Sequence, residues 1–341
     1  MDKKIILLGL NHRSAPVEVR ERYALTNVQD FEQGLLKDCR VRECLALSTC
    51  NRVEILAVSD HPGDLAAEVL AYWAKTCGGD PAALAPHTYV HEDLEAVGHV
   101  FRVAASLDSM VMGEPQILGQ LKSAYRAAVE KGAARVIVNR LLHKSFSVAK
   151  RVRTETAIAS SAVSISFAAV ELARKIFGGL NGKTALLIGA GEMAELAATH
   201  LLSNGIERLL IANRTLSRAQ DLAKTMRGEA VAFDQLFERL PEADIVISST
   251  GSPTAIIRAR DMKGVLKARK HAPMFFIDIA VPRDIDPDIN SLDNVYLYDI
   301  DDLKEVVEGN LAQRREEAVK AQDIVAAETE TFARWLKSLD L

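Results

Sequence analysis

Hydrophobic and polar positions change their spacing twice along the chain. Over about the first 60 residues the apolar runs are short, at 5–10, 44–47 and 53–58, and polar turns separate them. Runs of that length between turn residues predict strands. From 63 to 177 apolar positions recur at helical spacing, most clearly over 94–107, 116–131 and 136–152. This pattern predicts a small α+β domain followed by a helical layer and a connector. At Asn181-Gly182-Lys183 the texture changes again. A buried-strand pattern at 184–188, a glycine-rich turn and a helix pattern at 192–203 follow. Strand patterns at 208–212, 244–248 and 274–279 and a helix pattern at 216–226 continue the alternation. That rhythm predicts a parallel, doubly wound sheet.

From 301 to 339 there is no proline and one glycine, Gly309. A helix of that length spans roughly 55 Å, more than one domain needs, and reads as a spine lying along other elements. Its end carries Trp335, Leu336 and Leu339, an apolar cluster that needs covering. The expected fold is therefore a multidomain α/β chain. Its parts are an N-terminal α+β domain at 1–150, a helical connector at 151–180, a Rossmann-like domain at 181–300 and a long spinal helix at 301–341.

Composition narrows the function classes. The 341 residues are 48% hydrophobic and 26% charged, with a formal charge of −4, so no global basic field points to nucleic acid. The cysteines, at 39, 44, 50 and 77, form no CxxC pair and no Cys/His group at zinc spacing. No metal site is expected, and reduced thiols suit a cytoplasmic protein. The apolar run at 5–10 is too short for a signal-peptide core or a membrane span, so no membrane association is expected.

Gly189-Ala190-Gly191-Glu192-Met193-Ala194 lies between a strand pattern and a helix pattern, where a G-x-G-x-x-G/A dinucleotide fingerprint belongs. Gly189 suits the tight turn, Gly191 a close approach of pyrophosphate, and Ala194 close helix–sheet packing. The second strand ends in Asn213-Arg214-Thr215 rather than in a carboxylate. Arg214 and Thr215 suit a 2′-phosphate, so NADPH is expected over NADH. Asn213 and Thr215 as caps of the next helix remain the alternative.

Cys50 sits in Ser48-Thr49-Cys50-Asn51-Arg52 between two strand patterns. Polar neighbours set it apart from Cys39, Cys44 and Cys77, which read as small buried hydrophobes. The charge of Arg52 favours a thiolate. A thioester accepts hydride more readily than an oxygen ester, so a nucleophilic thiol and NADPH make chemical sense together. His99, between apolar neighbours, reads from periodicity alone as a packed histidine. Pro115 suits a first helical position. Gln116 and Gln120 then share a face, and with Ser109 and Glu114 suit a small zwitterion; a solvated helix start is the alternative. Between 135 and 153 the basic residues include Lys144, Lys150, Arg151 and Arg153, with no acidic residue before Glu155. That stretch reads as a solvated helix face or as a phosphate-backbone contact.

Taken together, these segments resemble the bacterial glutamyl-tRNA reductases. The resemblance rests on GLNHRSAP from Gly9, STCNRVE from Ser48, LDSMVMGEPQILGQ from Leu107, KSFSVAKRVRT from Lys144, the Gly189–Ala194 fingerprint and DIAVPR from Asp278. It implies reduction of glutamyl-tRNA to glutamate-1-semialdehyde for tetrapyrrole synthesis, with NADPH, through a thioester on Cys50. It further implies that His99 stands close to the thiol. Thr49, Asn51, Arg52, Ser109, Glu114, Pro115, Gln116 and Gln120 would form the glutamate pocket, Arg52 holding a substrate carboxylate. A following aminomutase is an implied partner. For the family the resemblance implies a homodimer built through a helical domain beyond the position of Trp335, which is not an expectation for these 341 residues. Two other readings stay open: a cysteine-dependent aldehyde dehydrogenase acting on a free small molecule, and a non-catalytic dinucleotide-binding regulator.

Overall fold

The computed structural model describes residues 4–61, 63–110, 112–113, 116–156, 158, 165–303 and 311–339. By internal contacts the chain divides into two units, Met1–Ala162 with Asn310–Leu341, and Val163–Gly309.

In the first unit, β1 (Lys4–Asn11) leads through α1 (Val17–Arg22) and α2 (Val28–Asp38) to β2 (Glu43–Ser48) and β3 (Arg52–Ser59). Helices α3 (Leu65–Thr76) and α4 (Pro81–Leu84) precede β4 (Tyr89–Glu92), and α5 (Asp93–Ala104), α6 (Gln116–Glu130) and α7 (Val136–Glu155) follow. The strands form one antiparallel sheet in the order β2-β3-β1-β4. Every residue of β3 is buried, and helices pack on β1 and β2. That explains why 53–58 reads as a nearly continuous apolar run rather than an alternating one. The edge strand β4 has the sequence YVHE and is only half-buried, so periodicity did not reveal it.

The second unit runs α8 (Ile165–Phe177), β5 (Thr184–Ile188), α9 (Glu192–Ser203), β6 (Arg208–Asn213), α10 (Leu216–Met226) and β7 (Glu229–Ala232). It continues through α11 (Leu236–Arg239), β8 (Ile245–Ser248), α12 (Met262–Ala268), β9 (Met274–Asp278) and β10 (Val295–Asp299). The six parallel strands are ordered β10-β9-β8-β5-β6-β7. This is the doubly wound arrangement, and the strand order reverses between β5 and β8. The edge strands β7 and β10 escaped the sequence reading; their patterns mix exposed and half-buried positions.

The final helix, α13 (Leu311–Lys337), has 27 residues and is about 40 Å long. The expected start at 301 is corrected, because residues 301–303 form a turn; positions 304–310 lie outside the described residues. Ala321, Val325 and Phe332 are buried in the first unit, where Phe332 meets Phe101 edge-on at 6.2 Å. The apolar end is covered from within the same unit: Trp335 lies 5.0 Å from Phe332 and under the Arg140 guanidinium at 5.6 Å. Among the described residues no helix is long and apolar enough to cross a membrane.

One tertiary contact fixes where α7 begins. The Glu43 carboxylate, 7% exposed on β2, accepts from the backbone N–H groups of Arg135 at 3.1 Å, Ile137 at 3.2 Å and Val138 at 2.9 Å. A helix start leaves such donors without intrahelical partners, and an anion there also meets the positive end of the dipole. Replacing Glu43 with Ala is expected to cost roughly 2–3 kcal/mol, and Glu43→Gln about half of that. Urea unfolding measures both, and an unchanged midpoint would show that water satisfies the helix start equally well.

Candidate active site

Cys50 stands at the tip of the turn joining β2 to β3. Thr49 N donates to Arg52 O at 2.8 Å, and the Thr49 hydroxyl accepts from Asn51 N and Arg52 N, both at 3.2 Å. A threonine that caps its own turn in this way holds the loop in one shape. His12 N, donating to Asn51 O at 2.9 Å, ties the turn to the end of β1. Cys50 is half-buried. The other three cysteines are chemically quieter: burial pushes Cys39 up to about 11 and raises Cys44 and Cys77 as well. Those three are held as thiols, as small hydrophobes would be.

Beneath the turn lies a buried charge cluster. Arg52 is 1% exposed. Its Nη1 donates to Glu54 Oε1 at 2.7 Å and Asp108 Oδ2 at 3.1 Å, and its Nη2 donates to the Asp108 carbonyl. Glu54 Oε1 also receives Tyr89 Oη at 2.6 Å and lies 2.6 Å from His99 Nε2. Burial alone would raise the Glu54 carboxyl, but Arg52, His99 and Tyr89 outweigh it and hold it well below the usual carboxylate range. An ionised Glu54 can only accept, so Nε2 of His99 carries the proton in this contact. The His99 ring also stacks on His91 at 4.5 Å.

Gly9 makes the crossing possible. It pairs with Glu54 on one side and Tyr89 on the other. A Cβ at Gly9 would lie 2.8 Å from Glu54 Cγ and 3.1 Å from the Tyr89 ring. Only a residue without a side chain lets those two groups meet over β1.

This arrangement already engages two of the expected groups. Thr49 spends its hydroxyl on the turn. Arg52 is not an open guanidinium beside the thiol, because its charge is committed to Glu54 and Asp108. The other expected pocket residues divide. Asn51 Oδ1, Ser109 Oγ and Gln116 Nε2 are enclosed yet have no hydrogen-bond partner among the described residues. Such atoms cost about 1–3 kcal/mol each unless something polar reaches them. Gln120, one turn on from Gln116 in α6, is exposed. Glu114 and Pro115 lie outside the described residues. Ligand atoms of Glu54, His99 and Asp108 come within 4.8 Å of one another, but Arg52 already fills the cationic place between the two carboxylates.

In the second unit the Gly189–Gly191 turn joins β5 to α9. Gly189 has φ +112°, and a Cβ there would meet Ser249 O at 2.2 Å. A Cβ at Gly191 would meet nothing within 4 Å, leaving open space at the N-terminus of α9. Ala194 is 1% exposed under the sheet. Glu192 and Met193 form the first turn of α9, whose N-cap is Gly191. At the end of β6 a cleft of about 210 Å³ is lined by Asn213, Arg214, Thr215 and Arg218, together with Thr250 and Ser252. Thr215 makes no side-chain cap to α10, and Asn213 Nδ2 donates to Thr215 O at 2.9 Å. Neither side chain caps α10.

Residues 8–156 match the family model described as glutamyl-tRNAGlu reductase, N-terminal domain, and 171–306 match shikimate / quinate 5-dehydrogenase. The glutamyl-tRNA reductase of Maridesulfovibrio salexigens is 68% identical over the whole chain, which covers 77% of that protein. One from Nitratidesulfovibrio vulgaris is 66% identical, with 78% of it covered. The solved glutamyl-tRNA reductase from Methanopyrus kandleri is 34% identical, with a TM-score of 0.53, over 98% of this chain and 81% of that one. The chain belongs to the glutamyl-tRNA reductase family.

As a member of that family the chain is an oxidoreductase, and its second unit is a nicotinamide-dinucleotide-binding domain. Three features of this reductase escaped the sequence reading. Glu54 and Asp108 lay inside quoted motifs, but their pairing with Arg52 depends on strand register and on a loop 56 residues away. Arg218 had a signal, one helical turn after Arg214. The basic stretch is also altered by tertiary structure. Glu328 of α13 pairs with Lys144 and Arg151, and Glu155 pairs with Arg151 at 2.8 Å. Lys150 and Arg153 remain exposed, with no ion pair among the described residues.

Glu54→Gln is expected to destabilise the reductase by about 3–5 kcal/mol, the cost of stranding a buried charge. The wild-type contribution is present above pH 4.5, the ordinary value for the group, and is lost as pH falls below it. Chemical unfolding at pH 7 and pH 3.5 checks this: the gap between the two proteins must shrink at the acid pH.

Proposed function

We propose that this chain reduces glutamyl-tRNA to glutamate-1-semialdehyde, the first committed step of tetrapyrrole synthesis, using NADPH and a thioester on Cys50. The observation that carries the reading is the thiol turn itself. A half-buried Cys50 stands on a loop fixed by Thr49 and His12, directly before a buried Arg52–Glu54–Asp108 cluster.

Cys50 Sγ attacks the carbonyl of the aminoacyl ester. A thioester bond forms, the ester C–O bond breaks, and the ribose hydroxyl of the tRNA leaves with the thiol proton. His99, held by Glu54 with its proton on Nε2, has its basic lone pair on Nδ1 in the neutral ring and is suited to move that proton. Asn51 Oδ1 offers an acceptor to the substrate ammonium, and Gln116 Nε2 a donor to its carboxylate, with Ser109 Oγ able to serve either. A nicotinamide dinucleotide bound in the second unit would supply the hydride that reduces the thioester to aldehyde, leaving Cys50 as thiolate. One proton is consumed per turnover. For a phosphorylated cofactor, Arg214 and Arg218 are the cationic donors lining the cleft, with the Thr215 hydroxyl beside them. Exposed Lys150 and Arg153 are the groups left to meet the tRNA backbone, since Lys144 and Arg151 are committed to Glu328.

Incubated with glutamyl-tRNA and without NADPH, the protein should gain one glutamyl mass on a Cys50 peptide, and Cys50→Ser should gain none. Turnover by a wild-type protein that never shows this adduct would exclude the covalent route. For the cofactor, replacing Arg214 and Arg218 together with Ser should weaken NADPH binding by roughly 100-fold, as two charge-assisted contacts are lost, while NADH binding stays within about threefold. Equal losses for both cofactors would show that these arginines do not read the 2′-phosphate.

A further inference from the structure

The loop after β8 touches both halves of the dinucleotide site. Ser249 N donates to Ile188 O at 2.9 Å, and Ser249 O lies against the face of Gly189. A few residues on, Thr250, Gly251, Ser252 and Ile256 line the cleft that holds Arg214 and Thr215. The loop therefore sits at the reversal of strand order between β5 and β8, the crevice where such sheets bind their ligands. A loop at that place needs something to hold its shape.

Asp284 supplies the hold. It is fully buried. Its Oδ2 accepts from Ser248 Oγ at 2.7 Å and Thr250 N at 2.8 Å, and its Oδ1 accepts from Thr250 Oγ1 at 2.5 Å. Its own carbonyl accepts from Ile256 N at 2.6 Å and Ile257 N at 3.1 Å, at the far end of the same loop. The hold is itself braced. Asp278, paired with Ser248 across the sheet, accepts from Ala280 N at 3.0 Å and Ile285 N at 2.8 Å. Burial, with the charge of Asp284 added, pushes Asp278 up to about 8. Two carboxyls buried so close together favour one shared negative charge over two.

We propose that Asp284 is a positioning residue of the dinucleotide site: it never touches the cofactor, and it fixes the Ser248–Ser252 loop that does. The inference rests on reading this cleft as the nicotinamide cofactor site. Ser252 continues the same network, since Thr250 Oγ1 accepts from Ser252 N at 3.0 Å and Ser252 Oγ donates to Thr254 O at 2.7 Å. Releasing Asp284 thus frees the part of the cleft lining that this loop supplies.

The test is direct titration of the full chain with NADPH and NADH, followed by fluorescence, alongside a thermal melt. Asp284→Ala loses all three acceptor bonds, and its dissociation constant for NADPH should rise roughly tenfold or more. Asp284→Asn keeps an acceptor for Ser248 and Thr250 N and can donate to Thr250 Oγ1, so its affinity should recover to within about threefold of the parent. A merely structural role would lower the melting temperature and leave the dissociation constant alone. Asp284→Ala binding within twofold of the parent overturns the inference, and so does equal weakening in the Ala and Asn variants. If Asp284→Ala does not fold, Ser248→Ala decides, because it removes one hydrogen bond at a position outside the cleft lining. An affinity lower by about two- to fivefold supports the proposal, and an unchanged one overturns it. A parent protein that binds neither cofactor sinks the reading of the cleft and this inference with it; equal binding by parent and variants sinks the inference alone.

Discussion

Arg52 carries a positive charge into a place where it is 1% exposed, and much of the first unit is arranged around that fact. A lone buried cation is expensive, and its cost is offset only by close, well-directed anions. Glu54 comes from the same strand and Asp108 from the loop after α5. Each brings further groups: Glu54 gathers Tyr89 and His99, while Asp108 receives Arg13 at 3.0 Å and Asn11 at 3.4 Å. Ser109 follows Asp108 in the chain and Asn51 precedes Arg52, so the ion cluster also sets where two orphaned polar atoms lie.

That dependence explains why a glycine stands in the middle of β1. The cluster needs a glutamate on β3 and a tyrosine on β4 to meet across an intervening strand, and any Cβ at Gly9 would fill the space between them. Ionisation follows from the same geometry. With Glu54 held as the anion, the proton of its contact to His99 belongs to the imidazole, and a histidine in an apolar helix pattern acquires a defined tautomeric preference.

The second unit solves its charge problem differently. Among the described residues, its fully buried carboxylates Asp278 and Asp284 pair with no cation. They are satisfied by backbone N–H groups and hydroxyls, and burial raises both carboxyls. Ion pairing organises the thiol turn; neutral donors organise the dinucleotide cleft.

Short-range pattern carried a large part of this protein. The alternation of strand and helix after Asn181, the fingerprint from Gly189 to Ala194, and the polar setting of Cys50 are all properties of neighbouring residues, and neighbours are what a sequence displays. Edge strands β4, β7 and β10 were not legible, because half-exposed strands lack a clean apolar run. Four outcomes belonged to tertiary structure alone: the engagement of Arg52 by Glu54 and Asp108, the cap that Glu43 places on α7, the neutralisation of Lys144 and Arg151 by Glu328, and the hold of Asp284 on the loop after β8. Each joins groups distant in the chain, or depends on register across a sheet. Their strength depends on how closely folding brings the partners together and how far it takes them out of water.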